Sequence, residues 1–358
     1  LAFDSQGRLF VADRTNNRVQ VFDQDGKFLT ETKAFGRPSG VYIDRQDNLY
    51  VADFLGHAVR KISPSGVVTT LAGGMDGFTD GQGSEARFRF PYDVALDADG
   101  NVYVSDVGAF TIRKITPDGM VTTLAGTAGV AGFTDGQGAA ARFLTPRGLT
   151  VDSAGNVYVV DNDTRLRKVS PTGAVTTWQS SGGFASNPGS PAQSIFTDVA
   201  ASRSGTVYVA DANLCDCVLQ TNAAGVIGIL PITYSTTGSR YQNITGLAVD
   251  ANDNLYVADT QYGNYRIRRH GPASVGVSNI NDLATISQPE QTVLQSGSPG
   301  NADGIQATAR FSAAPAGIAV DRAGHVFVAD RDNQRIRKVY FVPGDIPPVP
   351  PPVVVSVS

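Results

Sequence analysis

The chain alternates short apolar runs with clusters of turn residues, and one phrase recurs along its length. Leu-Tyr-Val-Ala-Asp stands at 49–53, and close copies end at Asp13, Asp106, Asp161, Asp211, Asp259 and Asp330. These seven copies lie 40 to 55 residues apart, except for a last interval of 71. Within a copy the pattern is constant. In residues 92–126 a first strand, Asp93 to Leu96, precedes the turn Asp97-Ala98-Asp99-Gly100-Asn101. A second strand, Val102 to Ser105, ends at Asp106, and a third runs Thr111 to Ile115. Pro117-Asp118-Gly119 then turns into a fourth, Met120 to Leu124. β-branched and aromatic residues fill the strands, while Asp, Asn and Gly in the turns accept positive φ or cap their own backbone. No stretch carries a helical period.

A four-stranded unit repeated at this spacing predicts an all-β fold, a β-propeller of antiparallel blades. One blade cannot bury both of its faces, so each must be covered by its neighbours. The count points to seven blades, with six as the alternative. The interval of 71 reads as one blade plus an insertion near 272–290.

These repeats resemble the NHL-repeat β-propeller family, of the surface or secreted type, over residues 1–342. The resemblance implies a scaffold that hosts protein-, ligand- and RNA-binding modules as well as some lyases and hydrolases, so it sets fold more than function. The proline-rich run Pro343 to Pro352 reads as an extended spacer. Residues 353–358 then either begin a following domain, the favoured reading, or close the last blade.

Composition narrows the classes. With 41% hydrophobic and 17% charged residues, 39 Gly and 19 Pro, the chain suits many short strands and tight turns. A net charge of −4 argues against a nucleic-acid partner. No apolar run is long enough for a membrane-inserted helix. Cys215 and Cys217, separated by one residue, read as free thiols, with a strained disulfide or a soft-metal contact as the alternatives.

Loops on a rigid scaffold carry function. The second-to-third and fourth-to-first connections of a propeller share one face, the top, and here they include the long loops 73–91 and 126–146. The phrase Asp-Gly…Ala-Arg-Phe occurs at Asp80, Asp135 and Asp303 and reads as structural, its Phe plugging between blades under its own Arg. The Asp residues ending the second strands read as structural too, paired with Arg18, Arg60, Arg113, Arg167, Arg266 and Arg337. Departures from the repeat are more informative. Gly40, Gly148, Gly246 and Gly317 open the first strands, but Asp93 and Asp198 replace Gly in two blades. With the preceding Tyr92 and Arg147 they are the candidate ligand site, expected at a wet channel mouth. His57, His270 and His325 lie in three different connections or ends and do not converge on zinc. The amidating lyases that share this architecture use channel-facing histidines, which the aligned positions lack. No cofactor motif appears, and calcium is the one ion that the paired carboxylates would suit.

The expectation is therefore a monomeric binding domain of a secreted or cell-surface protein, with a protein, small-molecule or glycan ligand on its top face. The alternative is a metal-dependent hydrolase, lactonase or lyase acting through Asp93 and Asp198.

Overall fold

In the computed structural model, residues 1–180 are described without a break. Beyond them the described residues are 195–212, 217–221, 227–229, 244–261, 264–271, 291–296, 304–305, 317–321, 324–330, 333, 335–340 and 353–357. The fold is a seven-bladed β-propeller of small antiparallel sheets. The chain divides into two compact units, one of residues 2–22 and 29–184, the other of 1, 23–28 and 185–358. The first unit holds four sheets and the second holds three.

The recurring phrase is the second strand of each blade. In blade 2, Leu49–Asp53 is buried at every position, and the alternation of side chains explains why. Leu49 and Val51 pack with Phe10, Val19 and Phe35 of the preceding blade and its connection. Tyr50 and Ala52 face the other way, onto Val94, Val102 and Val104 of blade 3. Tyr103 in turn packs with Phe143, Leu149 and Val157 of blade 4. The core is thus a series of layers between blades. A strand buried on both faces reads as continuous apolar sequence.

The strands of blade 3 run Pro91–Leu96, Val102–Asp106, Thr111–Ile115 and Met120–Ala125, within a residue or two of the reading from sequence. Gly100 has φ +81° and Gly155 +78°, the left-handed conformation expected of those turns. The turn opens on Asp97, whose Oδ1 accepts the N–H groups of Asp99 and Asn101. Its Oδ2 accepts Asn101 Nδ2 and the Tyr103 hydroxyl. Asp44, Asp152 and Asp250 repeat this arrangement. Burial beside the carboxylate pushes the Tyr256 hydroxyl up to about 12.

Three features differ from expectation. Blade 3 has a fifth strand at its outer edge, Gly81–Gln82 from the long 73–91 loop, paired with Met120 and Val121. Gly136–Gln137 does the same in blade 4, paired with Val175 and Ala174. Val353–Val357 pairs antiparallel with Arg335–Tyr340 and so supplies the closing strand of blade 7, where the start of another domain was favoured. That reading leaned on the spacer at 343–352, which lies outside the described residues, as does 272–290. An open edge on Arg335–Tyr340 needs a partner strand, and this segment provides it. Finally, Cys217 is disulfide-bonded, which corrects the free-thiol reading; Cys215, the chain's other cysteine, lies outside the described residues.

Candidate functional site

The top-face loops are anchored by the Asp that ends each second strand. Asp53 is fully buried; its Oδ1 accepts Gly36 N at 2.8 Å, Arg37 N at 2.9 Å and Gly56 N at 3.2 Å. Both connections on that blade's top face thus hang on one carboxylate. Gly56 has to be glycine, because a Cβ there would meet Asp53 Oδ2 at 2.0 Å. Asp106 holds Arg89 N at 2.8 Å, and Asp161 holds Leu144 N and Thr145 N at 2.9 and 2.8 Å.

Of the paired arginines, Arg113, Arg167 and Arg337 are fully buried, not the exposed partners of modest value expected from sequence, while Arg18 and Arg60 stay partly exposed and the Arg266 side chain lies outside the described residues. Arg113 is fully buried, its guanidinium 5.0 Å from the centroid of Phe88. It donates to Asp106 Oδ2 at 3.3 Å, Arg87 O and Thr79 O at 3.0 Å, and Asp80 Oδ1 at 2.6 Å. Arg167 repeats this over Phe143 with Asp161, Arg142 O, Thr134 O and Asp135. The arginine over the plugging Phe therefore comes from the third strand and not from the phrase itself. Asp80 also accepts Thr123 N and Oγ1 at 3.0 and 2.9 Å, and Asp135 accepts Thr177 N and Oγ1 at 2.9 and 2.8 Å. The two carboxylates clip the long loops to the outer strands. Asp303 lies outside the described residues.

The four sequence-predicted site residues have different surroundings. Asp93 stands at a β-bulge between Pro91 and Asp93. Its Oδ1 accepts Val94 N at 2.9 Å, and its Oδ2 accepts Leu149 N of blade 4 at 3.0 Å. Asp198, in the other unit, does the same with Val199 N at 2.9 Å and Leu247 N of blade 6 at 2.8 Å. Both link adjacent inner strands while remaining partly exposed, an anchoring that the sequence reading did not include. The reason is the bulge: it turns N–H groups away from the ladder, and a carboxylate at the Gly position reaches two of them. Burial pushes the Asp93 carboxyl up to about 6, while the two N–H donors pull it down. Arg147 is exposed and pairs with Asp163 at 2.6 Å.

Tyr92 turns toward blades 1 and 2. Its ring meets Phe54 edge-on, with centroids 6.4 Å apart at 79°. The Arg14 guanidinium lies 5.4 Å from the centroid of Tyr92 and 5.1 Å from that of Phe54. Arg37 approaches Phe54 at 5.9 Å, and Phe90 stacks on it at 5.0 Å and 23°. His57 tilts against Phe90 at 5.3 Å. This cluster is assembled by loops of three consecutive blades.

Two of its residues hold unusual backbone. Phe90 has φ +60° and His57 +51°. Positive φ is rare for a bulky side chain, and the residue before a proline, here Pro91, prefers extended backbone. Sequence reasoning did not single out Phe54 or Phe90. The signal was available: the residue after the strand-end Asp is Arg14, Phe54, Val107, Asn162 and Ala212 in successive blades. The residue before the first-strand Pro is Arg37, Phe90 and Thr145.

His57 lies in a second-to-third connection, His270 ends a third strand and His325 lies in a first-to-second turn, as read from sequence. Burial first, and Arg268 second, lower His270 to about 4. Among the described residues, no three His, Cys, Asp or Glu side chains are grouped to hold a metal. No helix among the described residues is long and apolar enough to cross a membrane.

The family model for the teneurin NHL domain matches residues 192–341, and that for the NHL repeat matches residues 1–22. The chain is similar to the NHL-repeat β-propellers. Teneurin-4 of Mus musculus is 25% identical over 341 residues, 81% of this chain and 12% of its own length. The chloroplastic protein SUPPRESSOR OF QUENCHING 1 of Arabidopsis thaliana is 32% identical over 148 residues, 38% of this chain and 14% of its own length. The chain thus spans about a seventh or less of the length of these relatives. Among solved structures, a streptogramin B lyase shares the fold, with a TM-score of 0.58 at 13% identity, covering 92% of this chain and 88% of its own.

Proposed function

We propose that this chain is a recognition module, a monomeric propeller within a larger secreted or cell-surface protein. It binds a partner protein through the top-face loops of blades 1 to 3. The observation that carries this reading is the cluster around Phe54, where Arg14, Arg37, Phe90 and Tyr92 converge on one ring. Aromatic and arginine side chains dominate the energetic centres of protein interfaces. Strained backbone at Phe90 supports the same reading, because such strain collects at ligand clamps and persists only where the surroundings impose it. The disulfide at Cys217 agrees with an oxidising compartment. The binding reading is preferred to the hydrolase alternative because each carboxylate assigned to the latter already accepts two backbone N–H groups.

The test selects binders from a displayed random-peptide library on the intact chain. Binding of the selected peptides is then measured against Phe54→Ala, Tyr92→Ala and a control, Phe28→Ala, which alters an exposed fourth-strand residue. Loss of affinity in the first two variants and not in the third is expected. Affinity indifferent to Phe54 and Tyr92 would place binding elsewhere and overturn the proposal.

A further inference from the structure

We infer that the ligand chemistry read by the Phe54 cluster is a carboxylate, the Asp or Glu side chain of a partner peptide held beside an apolar residue. This inference rests on the recognition-module reading and names what that module recognises.

The argument begins with unspent charge. Arg89 is bidentate to Asp76, at 2.9 and 3.1 Å, and Arg147 is paired with Asp163. Arg14 and Arg37 differ: neither has a carboxylate partner among the described residues. Both lie within about 6 Å of the same Phe54 ring, a distance at which the ring quadrupole attracts a cation. Stacking occupies the flat face of a guanidinium and leaves its in-plane N–H groups to donate. Arg14 Nε is moreover buried and has no acceptor. Two like charges drawn to one ring, with the buried Arg14 Nε–H unused, make a positive site complementary to an anion.

The shape of the cluster selects the kind of anion. A guanidinium fork matches a carboxylate with two parallel hydrogen bonds. Leu55, next to Phe54, is 48% exposed, so an apolar contact lies beside the charged one. A phosphodiester chain would require a row of cations along its backbone. On the Phe54 ring the cations are Arg14 and Arg37, and Arg89, next to Phe90 in sequence, is neutralised by Asp76. A peptide bearing one acidic and one apolar side chain fits this pattern better than a nucleic acid.

The experiment uses the peptides selected on the intact chain. Each is compared with its Glu→Gln or Asp→Asn form against the wild-type chain and against the double variant Arg14→Gln, Arg37→Gln. Circular dichroism and the thermal midpoint verify that the double variant is folded. Removing the peptide carboxylate is expected to weaken binding to the wild-type chain by about tenfold or more, since a charge-assisted hydrogen bond is worth about 1.5–3 kcal/mol. The same change should have little effect on the double variant, and wild-type affinity should fall as salt rises. Peptides that need Phe54 and Tyr92 yet tolerate loss of the carboxylate would overturn this inference and leave the module reading standing. Peptides that need neither would overturn both. Competition by an oligouridylate as strong as that by the peptide would also overturn it, in favour of a nucleic-acid ligand.

Discussion

Replacing Asp93 by alanine separates a structural carboxylate from a rim residue. The Asp93 side chain accepts Val94 N and Leu149 N, joining the inner strands of blades 3 and 4. An exposed rim position would shift stability by less than about 0.5 kcal/mol. Two backbone donors left without acceptors cost about 1–3 kcal/mol each, and water entering a partly open site reduces that. The expected loss for Asp93→Ala is therefore about 1–3 kcal/mol at neutral pH, read as a lower urea midpoint at unchanged slope. Its pH dependence is a second check. Burial raises the folded carboxyl from 3.8 to about 6, so between those values the folded chain holds a proton that the unfolded chain has released. Stability from this group is then present at low pH and declines as pH rises from about 4 to about 6. The variant lacks the group, so its deficit should be larger at pH 4.5 than at pH 7. A loss below about 0.5 kcal/mol that stays the same at both pH values would refute the assignment.

Further outcomes follow from the repeated clips. Asp80→Ala and Asp135→Ala each remove two bonds to a threonine and one to a buried arginine. Each should cost about 2–4 kcal/mol in urea unfolding, and the two values should agree, since the sites are internal copies. Asp47 sits at φ +61° and accepts Ser5 N of the preceding blade at 2.6 Å. Asp47→Gly should therefore be milder than Asp47→Ala by about 1 kcal/mol, because glycine regains in backbone ease part of what the lost bond costs. Gly100→Val, at φ +81°, should cost about 1 kcal/mol or more by thermal unfolding.

The parts of the fold that sequence makes legible are those decided within a few residues. Leu49–Asp53 declares itself because both of its faces are buried and every position is constrained. Gly100 and Gly155 do so because their turns require positive φ. The extra strand Gly81–Gln82 is illegible, since two residues carry no period and their pairing with Met120 and Val121 depends on where a long loop passes. Arg113 is illegible for a related reason: its chemistry suggests a surface, and only the Phe88 ring, the Asp80 clip and the carbonyls around it make burial tolerable. At the candidate site, sequence located the departures at Tyr92 and Asp93 but not their directions. The bulge between Pro91 and Asp93 leaves Tyr92 outside the ladder and re-aims the side chains on either side of it. Tyr92 accordingly joins the Phe54 cluster while Asp93 turns to the Leu149 N–H.

That divergence shows how a repeat protein becomes specific. The strand-end carboxylates Asp53, Asp106 and Asp161 perform one task in successive blades, holding the N–H groups of the incoming connection. Because the anchor is common, the residue that follows it is free to differ, and it does, from Arg14 to Phe54 to Val107. Asp53 fixes the Arg37 and Gly56 backbones together, so the Phe54 and Arg37 side chains meet with little freedom left to lose. Ordering a side chain on binding costs about 0.5–1.5 kcal/mol. A cluster already ordered by its anchors avoids most of that cost. Blade 3 departs from this pattern at Phe90, where Asp106 holds the Arg89 N–H and φ is +60°, whereas Asp53 and Asp161 hold the N–H groups of Arg37 and Thr145 at the equivalent position, neither of which has positive φ.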